Sequence, residues 1–169
     1  MIRPLAVRDI AQLAEQLAEL PLLQHYRRTA DVLAADLRAA LERGDRLLVH
    51  DHDEGGGDPG PRPGTAPAAA AEVDGLVWFL PSSTLAIGGY LRLLAVVPGA
   101  ERRGLGSALL AEFERTVAEW SRHAFLLVSD FNGDAQRFYA RHGYTQVGRL
   151  PGLVIPEIDE LLYWRRLSG

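Results

Sequence analysis

The stretch RLLAVVPGAERRGLGSALLAEF, Arg92 to Phe113, decides how the rest of this chain is read. Leu93 to Val97 is an apolar run with the length and composition of a buried strand. It breaks at Pro98-Gly99, passes three charged residues and two glycines, and resumes as a helix in which Leu105, Leu109, Phe113, Val117 and Trp120 share one face while Glu112, Arg115 and Glu119 take the other. A helix that starts near Gly104 to Gly106 leaves its first backbone N–H groups without intrahelical partners. It carries about half a positive charge at that end, so an anion there is favoured on both counts. Arg102 and Arg103 can add charge-assisted hydrogen bonds. On spacing alone an ordinary strand-to-helix turn with solvated arginines explains the stretch equally well.

The surrounding chain narrows the class. Its 169 residues suit one domain. The absence of cysteine excludes disulfides and thiolate chemistry. A net charge of −4 argues against a nucleic-acid binder. Charges interrupt the opening MIRPLAVRDIAQ, and no apolar run approaches the roughly 18 residues that a bilayer demands, so a cytoplasmic protein without membrane partners is expected.

Upstream, IRPL reads as a strand, and Asp9 stands at an N-cap position before a helix carrying Ile10, Leu13, Leu17 and Leu20. A second helix places Val32, Leu33, Leu37, Ala40 and Leu41 together, stops at Gly44-Asp45, and gives way to the strand RLLVH. Residues 54–72 are dominated by glycine, proline and alanine and read as a mobile insert in a strand-to-strand connection. GLVWFL, YLRLLAVV and AFLLVS are further strands, the last apolar enough to be buried on both faces. NGDAQRFYARHGY is a short helix with Gly143 at its left-handed C-cap; YTQVGRL and ELLYWRRL are two more strand candidates, parted by the loop PGLVIPEID. The expected order is β-α-α-β-β-β-α-β-α-β-β, a single α/β domain over residues 1–169 with a mixed central sheet and helices on both faces.

Two common phosphate motifs fail here. A P-loop needs lysine after its second glycine, and the Rossmann pattern needs a third glycine where Gly106 is followed by SALL. A different pattern fits. LAVVPGAERRGLGSALL resembles the acetyl-CoA segment of the GNAT superfamily of CoA-dependent N-acetyltransferases, Gln/Arg-x-x-Gly-x-Gly/Ala after a strand ending Val-x-Pro. Val96, Pro98, Gly104 and Gly106 match, and Glu101 stands where the family usually has Gln or Arg. NGDAQRFYARHGY is similar to the family's Asn-x-x-Ala-x-x-x-Tyr-x-x-x-Gly-Phe through Asn132, Ala135, Tyr139 and Gly143, with Tyr144 in place of Phe. The order of elements also resembles the superfamily fold.

The resemblance implies acetyl-CoA as cosubstrate and direct acetyl transfer to a primary amine, here that of a small molecule. Transfer to a protein or peptide amine, and a non-catalytic acyl-CoA-binding module, are the alternatives. It implies that the Val96 N–H bonds the thioester carbonyl and that Glu101, Arg102, Arg103, Gly104, Leu105, Gly106 and Ser107 hold the pyrophosphate mostly through main-chain amides. Asn132 would cap its helix and lie near the cofactor. Tyr139 would steady the departing thiolate by hydrogen bonding, since a phenol is a weaker acid than a thiol. An amine of pKa ~10.4 pays about 4–5 kcal/mol to lose its proton at pH 7, so a base is useful. Some members of the family use a Glu on the cofactor strand, and Tyr90 occupies that place. No base is therefore named.

Arg92 lies near the implied acceptor cleft, where it could hold a carboxylate or simply form a surface ion pair. Trp78, Phe79 and Tyr90 are candidates for the cleft wall or for plain core. His50-Asp51-His52 reads as a solvated strand end, and no metal is expected. The acceptor, the acyl length and a homodimer stay open.

Overall fold

The structure is a computed structural model, and it describes residues 1–52, 72–84, 87–100 and 104–168, with 82–84 as backbone. The expected insert falls almost wholly outside the described residues, as do Glu101, Arg102 and Arg103. Among the described residues no helix is long and apolar enough to cross a membrane.

Seven strands form one mixed sheet in the order β1-β2-β3-β4-β5-β7-β6. They are β1 (Ile2–Pro4), β2 (Arg46–Asp51), β3 (Val73–Thr84), β4 (Gly88–Val96), β5 (His123–Ser129), β6 (Thr145–Ile155) and β7 (Ile158–Arg166). The helices are α1 (Ile10–Ala18), α2 (Pro21–His25), α3 (Ala30–Arg43), α4 (Leu105–Ala118) and α5 (Gly133–Arg141). The expected order is thus present, with a 3₁₀ turn at Val7–Asp9 and the short α2 added. Pro21 opens α2 at its first position, where a missing N–H costs nothing.

The chain divides into two compact units, Met1–Leu76 with Ala95–Leu109, and Val77–Leu94 with Leu110–Gly169. In the first, β1 pairs antiparallel with β2, Arg3 opposite Val49. Ile10, Leu13, Ala14 and Leu17 fall on one side of α1 and are all buried, as are Leu33, Leu37 and Ala40 of α3. Val32 was expected with that face but is exposed, lying in the first turn where Thr29 caps its N–H. The His52 N–H donates to the Glu72 carbonyl at 2.8 Å, so the two ends of the 53–71 segment are tied together as a strand-to-strand connection requires.

Asp9 does not cap α1 through its side chain. The preceding 3₁₀ turn carries the helical path through Asp9, and its buried carboxylate turns back to accept from the Ala6 N–H at 3.2 Å and from Arg3 Nη1 at 2.7 Å. Arg3 reaches Asp51 on β2 with its Nε at 2.7 Å. One guanidinium therefore ties the first turn to the sheet edge.

In the second unit, β4 pairs parallel with β5, and β5 pairs antiparallel with β7 along its whole length. Phe113 of α4 packs edge-on against Phe79 of β3 with ring centroids 5.1 Å apart. Trp120 falls beyond the end of α4 and is exposed. The segment expected as a loop before β7 is mostly strand. β6 runs through to Ile155, with register shifts after Gln146 and between Leu150 and Ile155, and a two-residue turn leads into β7. The second irregularity absorbs Pro151, which cannot donate to a ladder.

Substituting Asp9 by Ala leaves the Ala6 N–H and part of the Arg3 guanidinium without their acceptor. It should cost about 2 kcal/mol, seen as a lower urea midpoint at unchanged slope.

Candidate functional site

The first unit carries the strand end and the helix start that the sequence singled out. The Val97 N–H donates to the Asp74 carbonyl of β3 at 2.9 Å. Successive N–H groups of an extended chain point to opposite edges, so the Val96 N–H is directed to the edge of β4 away from β3. The chain then turns at Gly99, with the Ala100 N–H on the Val97 carbonyl at 3.1 Å.

Gly104 has φ +93°, a conformation that a Cβ would strain, and it is exposed. Its carbonyl accepts the first helical bond of α4 from the Ala108 N–H at 2.8 Å. The amides of Leu105, Gly106 and Ser107 precede that bond and point outward along the helix axis, as the first turn of any helix dictates. Leu105 buries its side chain and Gly106 is half-buried, so the main chain rather than the side chains is what this turn offers to an anion.

The second unit carries the aromatic candidates. Asn132 caps α5, its Oδ1 accepting from the Ala135 N–H at 3.1 Å. Gly143, at φ +81°, ends that helix as expected. The Tyr144 N–H bonds the Tyr139 carbonyl at 3.0 Å. Tyr139 is buried against Phe138 and Tyr144, with centroids at 5.2 and 5.7 Å. Burial first, and then the neighbouring Tyr90, push the Tyr139 phenol well above its ordinary value. It is a neutral hydrogen-bond donor at any working pH.

The register of the sheet sorts the remaining candidates by face, because directly opposed residues share one. Tyr90 lies opposite Phe125, and Phe125 opposite Trp164. The Arg92 guanidinium stacks 4.9 Å from the Trp78 ring centroid, so Arg92 and Trp78 are brought together. Phe79 is not a wall residue: alternation turns it the other way, into the core under Phe113. Burial raises the Tyr90 phenol; Arg92 lowers it and Glu160 raises it further.

Glu160 escaped the sequence reading. It is 5% exposed, opposite Ser129 of β5 and Leu150 of β6. An acid opening the apolar run ELLYW, directly after Asp159, was the available signal, though nothing in it tells which face the acid takes.

His50 is half-buried and His52 exposed at the strand end, but both have a neighbour the sequence did not foretell. The start of β3 sets buried Asp74 beside them, 2.6 Å from His52 Nδ1 and 3.7 Å from His50 Nδ1. Among the described residues no group of three potential ligands is arranged to hold a metal ion.

Residues 68–146 match the acetyltransferase (GNAT) domain family, a span that contains both singled-out motifs. The fold agrees. A GNAT-family acetyltransferase of Desulfovibrio desulfuricans superposes with a TM-score of 0.71 at 19% identity, covering 99% of each chain. The chain resembles the GNAT acetyltransferases in both sequence and fold. Two further GNAT-like structures align over nearly the full length. A ribosomal-protein-alanine N-acetyltransferase of Brucella melitensis has TM-score 0.70 at 17% identity, covering 99% of each chain. An aminoglycoside 6′-N-acetyltransferase complexed with coenzyme A has TM-score 0.70 at 16% identity, covering 100% of this chain and 98% of its own.

Replacing Asn132 by Ala removes the cap of α5. It should lower stability by about 1 kcal/mol, a fall of a few degrees in Tm by calorimetry.

Proposed function

We propose that the chain is a single acetyltransferase domain that transfers an acetyl group from acetyl-CoA to the primary amine of a small molecule. The observation that carries this reading is the junction of β4 and α4: a strand with the Val96 N–H turned away from its β3 neighbour, followed by a helix opened at left-handed Gly104. That pairing suits a ligand with an extended amide-bearing arm and a diphosphate, and the solved GNAT neighbour complexed with coenzyme A supports it.

In this reading the amides of Leu105, Gly106 and Ser107 bind the pyrophosphate, together with Glu101, Arg102 and Arg103. Main-chain recognition makes an acidic Glu101 tolerable where the family pattern has Gln or Arg, because it asks for the amide and not for the side chain. The Val96 N–H bonds the thioester carbonyl and meets the charge that grows on its oxygen as the amine attacks. Holding amine and thioester in line supplies most of the acceleration. Tyr139 donates a hydrogen bond to the departing sulfur; its raised phenol favours donation over full proton transfer. Asn132, beyond capping α5, contacts the cofactor. Trp78, Tyr90 and Arg92 line the acceptor side, with Arg92 positioned by its stacking on Trp78.

CoA and acetyl-CoA should raise the Tm while NAD and ATP do not; equal stabilisation by nucleotides lacking pantetheine contradicts the reading. Tyr139→Phe should lower turnover roughly tenfold or more at nearly unchanged CoA affinity, measured by thiol release and calorimetric titration. Equal rates in variant and parent remove Tyr139 from the mechanism.

A further inference from the structure

The place where some GNAT enzymes carry a catalytic Glu holds Tyr90 here, which leaves the acceptor's proton without a destination on that strand. The register of β4, β5 and β7 supplies one. β4 and β5 pair at Gly89–Ala124, Tyr90–Phe125 and Leu91–Leu126, and the parallel ladder stops there although β5 continues to Ser129. Ser129 is opposite Glu160 on β7. Phe125, Leu127 and Ser129 alternate onto one face of β5, so Glu160 shares the face of Tyr90 and stands three residues beyond the last rung that ties β4 to β5. It is buried there, level with the part of β5 that β4 no longer covers.

We propose that Glu160 is the carboxylate that holds the acceptor's ammonium group and takes its proton. The inference rests on the acetyltransferase reading above. The ammonium gives one N–H proton to a Glu160 carboxylate oxygen, and the freed nitrogen lone pair forms the new C–N bond at the thioester carbon. The C–S bond then breaks with its electron pair on sulfur, and the proton released from the tetrahedral adduct neutralises the thiolate.

The other titratable groups on this face of β4, β5 and β7 are unsuited to the task. The Arg92 guanidinium has no lone pair to offer. Tyr90 is kept protonated by burial and by the Glu160 charge. His123 sits at the far end of β5, and its Nδ1 accepts from Trp164 Nε1 at 3.2 Å. Arg166, at the far end of β7 opposite His123, is likewise a guanidinium; Arg149 of β6 stands opposite Leu161, on the other face, and Tyr139 of α5 is a neutral phenol. An exposed guanidinium stacked on Trp78, on the same face as the carboxylate, also favours an acceptor that carries an anionic group as well as its amine, as an amino acid or a chain terminus does.

The test compares parent, Glu160→Gln and Tyr90→Phe. CoA affinity is measured by calorimetric titration and amine-dependent thiol release from acetyl-CoA with lysine, spermidine and kanamycin as probes, between pH 6 and pH 10. Glu160→Gln should bind CoA within twofold of the parent and lose roughly 100-fold or more in kcat/KM for the amine. Its deficit should shrink as pH rises, because the variant depends on amine that has deprotonated unaided, so its rate climbs more steeply with pH than the parent's. Tyr90→Phe should keep the parent's pH profile. Failure of the parent to bind CoA overturns the acetyltransferase reading itself. With CoA bound normally, the same rate and pH profile in parent and Glu160→Gln, or no amine-dependent release by either, overturns the role of Glu160. So does a Glu160→Gln deficit that is constant with pH.

Discussion

Three parallel rungs join β4 to β5, Gly89–Ala124, Tyr90–Phe125 and Leu91–Leu126, and both strands run on past the last of them, β4 to Val96 and β5 to Ser129. Backbone donors and acceptors at such an interior edge need a partner, drawn from another segment of the chain, as the Ser129 carbonyl draws the Asn132 N–H at 3.0 Å, or from a ligand. β5 can sustain this because its other edge is fully used by β7 over seven opposed pairs. The constraint fits the apolar character of AFLLVS: past Leu126 the strand relies on packing and on its ladder with β7.

The junction that follows β4 works in the same way. Val97 gives its N–H to Asp74, and this single bond fixes the phase of the strand and so the direction of the Val96 amide. Gly104 then supplies a left-handed residue that lets the helix begin with its first amides outward. In the proposed function this junction reads the ligand through backbone geometry, which sequence changes at neighbouring side chains alter little. Side-chain chemistry is concentrated in the other unit, where Tyr90, Arg92, Trp78 and Glu160 gather on β3, β4 and β7, and Tyr139 reports its surroundings by a phenol that stays protonated.

Much of this was legible in the sequence because it is local. Leu105, Leu109, Phe113 and Val117 at helical spacing, Asn132 as a cap, and Gly143 at a left-handed stop each follow from a few adjacent residues. What escaped depends on long-range pairing. Asp9 was read as a cap, yet Arg3 and the 3₁₀ turn claim its carboxylate. His50 and His52 looked solvated until β3 brought Asp74 beside them. Glu160 is the sharpest case: whether an acid in IDELLYW faces core, solvent or ligand depends on which residue of β5 stands opposite it. A one-residue slip would have reversed the answer.

The account is tested most directly by following backbone amides in a ¹⁵N-edited NMR titration with CoA. It predicts the largest, saturable shifts at the amides of Val96, Leu105, Gly106 and Ser107. Saturable binding that leaves those four amides unmoved, or no binding at all, would contradict it.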